Sequence, residues 1–190
     1  RLCGTPASLC GMESARESRQ PEAMNRALTL DRMLHALIFT LNGLPVIYSG
    51  DEIGLENDEG YRLDPLKAED SRYIHRGSMD WEKAEWRKEN GTPEQILFDA
   101  LREMEFQRKM HEGFDSEADV WLLETGSDQV LGIGRYARGE KILAFFNFAA
   151  EERSVGLKEA EDYVSLGTGA SVREMVLLAP GDFVWLSHRY

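Results

Sequence analysis

Residues 43–54 read Gly43-Leu-Pro-Val-Ile-Tyr-Ser-Gly-Asp-Glu-Ile-Gly54, a short apolar run that ends in a glycine and two acids. A second polar cluster follows at Asp70-Ser-Arg-Tyr-Ile-His-Arg76. A buried parallel strand delivers polar groups to the rim of a barrel in this way, because apolar residues pack on both of its faces and only its end meets solvent. The pattern therefore predicts the end of a parallel strand followed by a polar loop.

The residues before this run predict a helix over 22–42. Gly43 stands where a C-terminal helix cap belongs, and the brief apolar run after it is interpreted as a strand over 45–48. A helix, a tight turn and a strand in this order form the αβ step of a wound parallel sheet. The apolar residues that recur at helical spacing are Met24, Ala27, Leu28, Leu34, Leu37, Ile38 and Leu41.

A long polar segment over 49–91 follows the predicted strand. A loop of this length in a compact domain is either functional or disordered. Disordered segments are usually poor in aromatic residues, whereas this one interleaves its charges with Tyr61, Tyr73, Trp81 and Trp86. We therefore expect a functional loop. The helix-start signature Thr92-Pro-Glu-Gln95 then predicts a helix over 93–112.

The sequence pattern changes near residue 115 from helical spacing to alternation. Short alternating stretches separated by turn signals are typical of an antiparallel sandwich. The boundary near residue 115 therefore separates a helical part, residues 1–114, from a β domain, residues 115–190. The predicted strands are 120–123, 130–138, 141–148, 153–157, 162–166, 171–178 and 182–186.

The composition excludes several classes of protein. The net charge is −12, from 34 acidic against 22 basic residues, and binding to nucleic acid or to an anionic membrane needs a basic face. No apolar run is long enough to span a membrane. Two cysteines, Cys3 and Cys10, support neither a disulfide framework nor a zinc site. We expect a cytoplasmic protein without metal or other cofactor; because the chain begins without Met, a signal segment ahead of it would instead make the protein secreted.

The polar residues after the predicted strand suggest binding and support of a loop. Asp51 and Glu52 are adjacent, so in an extended segment they point to opposite faces and cannot flank one glycosidic bond together. We expect them, and Asp70, to hold the loop in place. Arg72 is the strongest binding candidate, because its rigid fork of donors suits a carboxylate or a row of hydroxyl groups.

These motifs together resemble the α-amylase family of sugar-cleaving barrels, and within it the amylosucrases. The Gly-Leu-Pro and Gly-Asp-Glu-Ile-Gly pieces are typical of the whole family, and Asp70-Ser-Arg-Tyr-Ile-His-Arg76 is typical of the amylosucrase branch. The resemblance implies an α+β fragment. Residues 1–114 would be the last βα elements of a (β/α)8 barrel, helices plus one short strand, and residues 115–190 an antiparallel all-β sandwich domain at the C-terminus.

The resemblance also implies a function and site residues. Amylosucrases pass a glucosyl unit from sucrose to an α-1,4-glucan with retention, and their nucleophile and acid/base follow strands that precede this sequence. We therefore expect no catalytic residue in the fragment, which would be inactive alone. Arg72 matches an arginine that closes the glucosyl pocket by pairing with an aspartate from the front of the barrel, and Arg1 matches one that contacts the fructosyl side.

Other functions stay open on the sequence alone. The longer enzyme could be a sucrose hydrolase, an α-glucosidase or a trehalose synthase. A different class is a carbohydrate-binding or scaffolding β domain, for which Trp121 and Trp185 are the candidate stacking residues, although the alternation of their strands favours a core role for both. A lone barrel strand leaves backbone groups unpaired, so we also expect the helical part to repack, to self-associate through its exposed barrel elements or to be partly disordered, while the β domain keeps its fold.

Overall fold

The computed structural model describes residues 3–157 and 162–189. Within these residues, the helices are α1 (Pro6–Leu9), α2 (Met12–Ser18), α3 (Pro21–Thr40), α4 (Trp81–Glu85) and α5 (Pro93–Met110). The strands are β1 (Asp119–Leu123), β2 (Val130–Ala137), β3 (Glu140–Asn147), β4 (Arg153–Gly156), β5 (Tyr163–Ser165), β6 (Ser171–Val172), β7 (Met175–Leu178) and β8 (Phe183–Arg189). Helices followed by antiparallel strands agree with the predicted α+β class.

The chain forms two compact units, and the division falls within α3 and α5. The first unit comprises the chain up to Arg32 together with Val46–Arg102; the second comprises Met33–Pro45 together with the chain from Glu103 onwards. The boundary expected between residues 114 and 115 separates the helices from the strands. The compact units are divided differently, because the end of α3 and the end of α5 belong to the same unit as the strands. The two-domain division over 1–114 and 115–190 stays a prediction.

The first unit has a small apolar core of residues from α1, α2, α3 and α5. Its buried members are Ala7, Met12, Ala27, Leu28 and Leu97. The Thr5 hydroxyl caps α1 by accepting from the Ser8 N–H, and Thr92 caps α5 by accepting from the Gln95 N–H at 3.2 Å. Both helices begin with proline at the first turn, where a missing N–H costs nothing.

The second unit is built on a six-stranded antiparallel sheet of order β1-β2-β3-β8-β5-β6 and a two-stranded sheet of β4 and β7. The two sheets share one core. Burial alternates along β5 and β7, as expected of strands with one buried face, whereas β2 and β3 are buried on both faces. The predicted strand 171–178 is two strands, because β6 joins the larger sheet and β7 the smaller. The buried core residues are Val130, Leu143, Phe145, Val155, Tyr163, Val176, Leu178 and Leu186.

The predicted strand over 45–48 is wrong. Residues 44–48 form no strand, and the side chains of Leu44 and Val46 are 87% and 81% exposed. A parallel barrel strand is stable only between two neighbouring strands that pair with its backbone, and the described residues give this segment no strand partner. The side chains of Leu44 and Val46 face solvent instead of packing between strands.

The C-terminal end of α3 is held by arginine side chains. Helix carbonyls in the last turn lack partners inside the helix, and Arg108 donates to Phe39 O and, at 2.6 Å, to Gly43 O. Arg135, fully buried on β2, donates to Thr40 O at 2.6 Å. The helix therefore ends at Thr40, two residues earlier than predicted.

A buried carboxylate connects β3 to β8 and to the turn after α5. Glu140 accepts from the Ser187 hydroxyl at 2.6 Å and from the Gly113 N–H at 3.1 Å, and lies 2.7 Å from His111 Nδ1. Burial raises the pKa of Glu140, but hydrogen bonds from Ser187, His111, Gly113 and Arg189 outweigh it and lower the pKa to about 2. The carboxylate thus stays ionised and joins strands.

Candidate functional site

The polar loop begins with a tight turn in which both acids bond to backbone. Tyr48 N–H donates to Asp51 Oδ2 at 3.2 Å, and Gly50 N–H donates to Glu52 Oε2 at 2.8 Å. Gly54 has φ +59°, and a Cβ there would lie 2.9 Å from Leu97 Cδ1, so only glycine fits. Asp51 and Glu52 therefore shape the turn, and neither is placed with the other to form a catalytic pair.

A buried charge network holds the far side of this turn. Lys83 on α4 donates to Gly54 O at 2.7 Å and lies 3.9 Å from a carboxylate oxygen of Glu94. Glu94 is 1% exposed and also lies 3.4 Å from Arg16, whose Nε pairs with Glu56 at 2.9 Å. Burial lowers the pKa of Lys83. No spacing in the sequence indicated this network, because its members are far apart along the chain.

The N-terminal segment also fixes the loop. Thr5 N–H donates to Asn57 Oδ1 at 2.9 Å, and Asn57 N–H donates to Ser8 Oγ at 3.0 Å and to Glu13 Oε1 at 2.9 Å. Asn57 is thus bonded through its side chain and through its backbone N–H. Because its partners belong to α1, to α2 and to the cap of α1, these two helices fix the position of the loop at Asn57. Arg1, the candidate for the fructosyl side, lies outside the described residues.

The second polar cluster forms a short 3-10 helix, Ser71–His75, capped by Asp70. Asp70 accepts from the Arg72 N–H at 3.0 Å, from Arg72 Nε at 2.8 Å and from Arg72 Nη2 at 2.6 Å. This fork uses one edge of the guanidinium group, and the Arg72 side chain is 49% exposed. Asp70 thus supports Arg72 and leaves Nη1 outside the pair.

The structure brings the two polar clusters together. The rings of Tyr48 and His75 meet edge to face with centroids 5.7 Å apart, while the Tyr48 backbone is held by Asp51. Asp58 N–H donates to Ile74 O at 2.7 Å. Arg72, which Asp70 orients through Nε and Nη2, belongs to the second of these clusters, and its remaining donors are suited to binding a carboxylate or hydroxyl groups. Among the described residues, no group of three His, Cys, Asp or Glu side chains could hold a metal ion.

The pairing predicts an unusual titration of Asp70. The side-chain and backbone hydrogen bonds from Arg72 lower the pKa of Asp70 to about 2. Because the pKa in the folded state is depressed, the pair stabilises the loop above the ordinary pKa of about 3.9 and is lost as the pH falls through about 2. We expect a carboxyl 13C NMR titration of Asp70 to show a midpoint near that lower pH.

Two variants test the cause of this shift. Arg72→Ala removes the side-chain donors but keeps the backbone N–H, so the midpoint should rise part of the way towards the ordinary value. Arg62→Ala, which removes an exposed arginine paired with Glu59 on the same loop, should leave it unchanged. A wild-type midpoint near 4 would show that the pair does not form in solution.

The two tryptophans of the β domain have different environments. Trp185 is 4% exposed and its Nε1–H donates to Thr40 Oγ1 at 2.8 Å, so it is a core residue. Trp121 on β1 is 38% exposed.

Cys3 and Cys10 are free thiols, and burial raises the pKa of Cys10 to about 12. None of the helices in residues 3–157 and 162–189 has the length and apolar character that crossing a membrane demands.

Comparison with known proteins supplies the family. A family model described as the catalytic domain of alpha amylase matches residues 17–147. The structure is similar to that of the maltogenic amylase from S. marinus, with a TM-score of 0.60 and 27% identity over 85% of this chain and 19% of that one.

Two further structures share the fold. The α-amylase of Geobacillus thermoleovorans in complex with acarbose has a TM-score of 0.63 and 16% identity, and the match covers 89% of this chain and 36% of that one. A trehalulose synthase in complex with Tris has a TM-score of 0.62 and 18% identity, with 84% and 38% covered. The chain therefore spans between about a fifth and two fifths of the length of these proteins.

Proposed function

Because this chain belongs to the α-amylase family of catalytic domains, we propose that it is the C-terminal part of a retaining enzyme that acts on α-glucosyl units, closest to the amylosucrases. The enzyme would cleave sucrose and transfer the glucosyl unit to an α-1,4-glucan. The observation that carries the narrower assignment is the Asp70–Arg76 cluster, whose Asp-Ser-Arg order matches that branch and whose Arg72 is oriented by Asp70.

The catalytic pair would lie on parts of the enzyme outside this chain. Retaining glycosidases need two carboxyl groups about 5–5.5 Å apart across the scissile bond. Asp51 and Glu52 each accept a backbone N–H of their own turn, and Asp70 is occupied by Arg72. These contacts support roles in holding the loop, and the 190-residue chain would have no activity of its own.

The proposed reaction has two steps. An aspartate attacks the anomeric carbon of the glucosyl unit while an acid protonates the departing fructosyl oxygen, so that fructose leaves and a glucosyl-enzyme ester forms. The residue that acted as the acid, now deprotonated, then acts as a base and takes the proton of a glucan 4-hydroxyl. The 4-hydroxyl oxygen attacks the anomeric carbon and releases the aspartate. Transfer to water instead would give hydrolysis.

Arg72 would close the glucosyl pocket of that enzyme. Its Nε and Nη2 are engaged by Asp70, so Nη1 is the edge available to an aspartate from the front of the barrel. A guanidinium held on one side loses less conformational freedom when it binds on the other. The pocket would then be a dead end that admits a terminal glucosyl unit.

Product analysis of the longer enzyme supplied with sucrose alone tests this proposal. We expect fructose and a lengthening α-1,4-glucan. Free glucose in equal amount to fructose would indicate a sucrose hydrolase, and an isomerised disaccharide would indicate an isomerase. Cleavage of maltose or starch with no action on sucrose would overturn the amylosucrase assignment and favour an α-glucosidase, a trehalose synthase or an amylase.

A further inference from the structure

One edge of the six-stranded sheet is apolar and exposed. The strand at this edge is β1, and within residues 3–157 and 162–189 it pairs with β2 alone. The outward-pointing backbone N–H and C=O groups of an edge strand are a template for pairing with another chain. Val120, Trp121 and Leu122 of β1 are all exposed, Leu122 by 76%. Because successive side chains of a strand point to opposite faces, β1 exposes apolar surface on both faces of the sheet.

The opposite edge of the same sheet is protected against pairing. It is formed by β6, which has two residues, Ser171 and Val172, and is followed by Arg173. Short strands and charged side chains are the means by which natural sheets prevent pairing at their edges. In contrast, β1 has five residues, with neither lysine nor proline among them. Of the two edges, β1 is therefore the one that offers a template for a further strand.

The largest side chain of β1 does not screen this edge. Trp121 pairs with Gly134 in the antiparallel register of β1 and β2. A Cβ at position 134 would lie 2.2 Å from Cε2 of the indole ring, so the ring lies over β2 in the space that the glycine leaves. The outer backbone of β1 therefore stays open to an approaching strand.

Two-fold symmetry restricts how two copies of β1 can pair. When two identical sheets join edge to edge in one antiparallel sheet, the axis is perpendicular to the sheet, so each residue and its copy lie on the same face. Residues that stand opposite one another in the pair also share a face. Because faces alternate along a strand, an odd-numbered residue faces only odd-numbered residues of the other copy, and an even-numbered residue only even-numbered ones.

This restriction keeps the acidic side chains at the two ends of β1 apart. Asp119 is odd-numbered and Glu124 even-numbered, so they never stand opposite each other. The register that pairs all five residues of β1 has Trp121 on the axis, and in it Asp119 faces Leu123. Like charges directly opposite one another would destabilise the pair, and this register has none within β1. The edge is therefore complementary to a second copy of itself.

We propose that β1 is an interaction surface for a second copy of this chain, and that two β1 strands pair antiparallel across a two-fold axis at Trp121. Val120 of each copy then faces Leu122 of the other, which covers the exposed apolar side chains. The two six-stranded sheets become one sheet of twelve strands. A five-residue strand gives an interface at the small end of the range for specific contacts, so we expect the dimer at protein concentrations of about 0.1 mM.

Sedimentation equilibrium of the 190-residue chain tests the surface. Leu122→Lys places a charge within the paired strands of both copies and should weaken the dimer by at least about tenfold. Leu177→Lys makes the same change in charge at an exposed residue of β7 and should dimerise like the wild type. A wild-type chain that stays monomeric at about 0.5 mM, or equal dimerisation of Leu122→Lys and wild type, would overturn the proposal. Association that Leu44→Lys abolishes and Leu122→Lys leaves intact would also overturn it.

Salt dependence gives a second reading of the same contact. Each copy carries a net charge of −12, so two copies repel each other, and salt screens this repulsion beyond about 10 Å at 0.1 M. Backbone hydrogen bonds and apolar contacts between strands are little affected by such screening. We therefore expect the dissociation constant to fall by about threefold or more as NaCl is raised from about 0.05 to about 0.5 M. A dissociation constant that rises with salt would contradict the proposed contact.

Disulfide cross-linking tests the register. The double variant Val120→Cys/Leu122→Cys, made together with Cys3→Ala and Cys10→Ala, places thiols opposite one another with Cα atoms about 4.5–5.5 Å apart, which a disulfide spans. We expect a covalent dimer under mild oxidation. Each single cysteine variant should stay monomeric, because its two copies lie on a diagonal about 7–8 Å apart. Cross-linking of a single variant as complete as that of the double variant would contradict an axis at Trp121. None of these results depends on whether the longer enzyme cleaves sucrose.

Discussion

Replacing Arg135 with methionine is expected to lower the free energy of unfolding of the second unit by about 3–5 kcal/mol. Arg135 is fully buried on β2 and donates to three backbone carbonyls, Gly113 O at 2.9 Å, Thr40 O at 2.6 Å and Asp115 O at 2.7 Å. Methionine fills the space of the aliphatic stem but supplies no donor. Each buried carbonyl left without a partner costs about 1–3 kcal/mol.

Urea denaturation followed by circular dichroism measures this effect. Arg138→Met is the matched control, because Arg138 lies in the same hairpin, is 69% exposed and makes only surface ion pairs with Glu112 and Asp115. Exposed pairs contribute about 0–1 kcal/mol. If Arg135→Met were no more destabilised than Arg138→Met, Arg135 would not be what holds the end of α3.

Arg72→Ala in the longer enzyme is expected to lower kcat/KM for sucrose by about 100-fold or more, since a misplaced substrate alone can cost that much. Arg72 is held by Asp70 through Nε and Nη2, which orients the guanidinium group without taking its Nη1. Removing the side chain opens the floor of the proposed glucosyl pocket. The carboxylate that Arg72 would pair with is then left without its partner.

Two further variants show whether geometry or charge is responsible. Arg72→Lys keeps the charge but loses the planar fork, so most of the defect should persist. Arg62→Ala removes an exposed arginine of the same loop, which pairs with Glu59 and lies over the ring of Tyr61, and should change kcat/KM by less than about threefold. Near-normal sucrose turnover by Arg72→Ala would remove Arg72 from the proposed pocket.

The elements with strong local signals were readable from the sequence. Thr92-Pro-Glu-Gln95 predicted a helix start, and α5 begins at Pro93. The turn signals that separate the short stretches after residue 115 predicted most of the strand ends. The segment over 45–48 was misread because its apolar residues are typical of a strand that needs neighbours, and the described residues contain none for it.

The residues that stabilise the loop and the end of α3 could not be predicted. Lys83 and Glu94 lie 29 and 40 residues after Gly54, the carbonyl that Lys83 binds. Arg135 lies 95 residues after Thr40. A charged residue in a sequence gives no sign that it will be buried, since most are exposed. Only tertiary contacts show which of the 22 basic residues are internal.

Trapping the covalent intermediate tests most directly the claim that the reactive carboxylates lie outside this chain. The longer enzyme would be treated with 5-fluoro-α-glucosyl fluoride, which forms the glucosyl-enzyme ester and slows its breakdown, and the labelled peptide identified by mass spectrometry. We predict a single labelled aspartate outside these 190 residues. A label on Asp51, Glu52 or Asp70 would contradict the account.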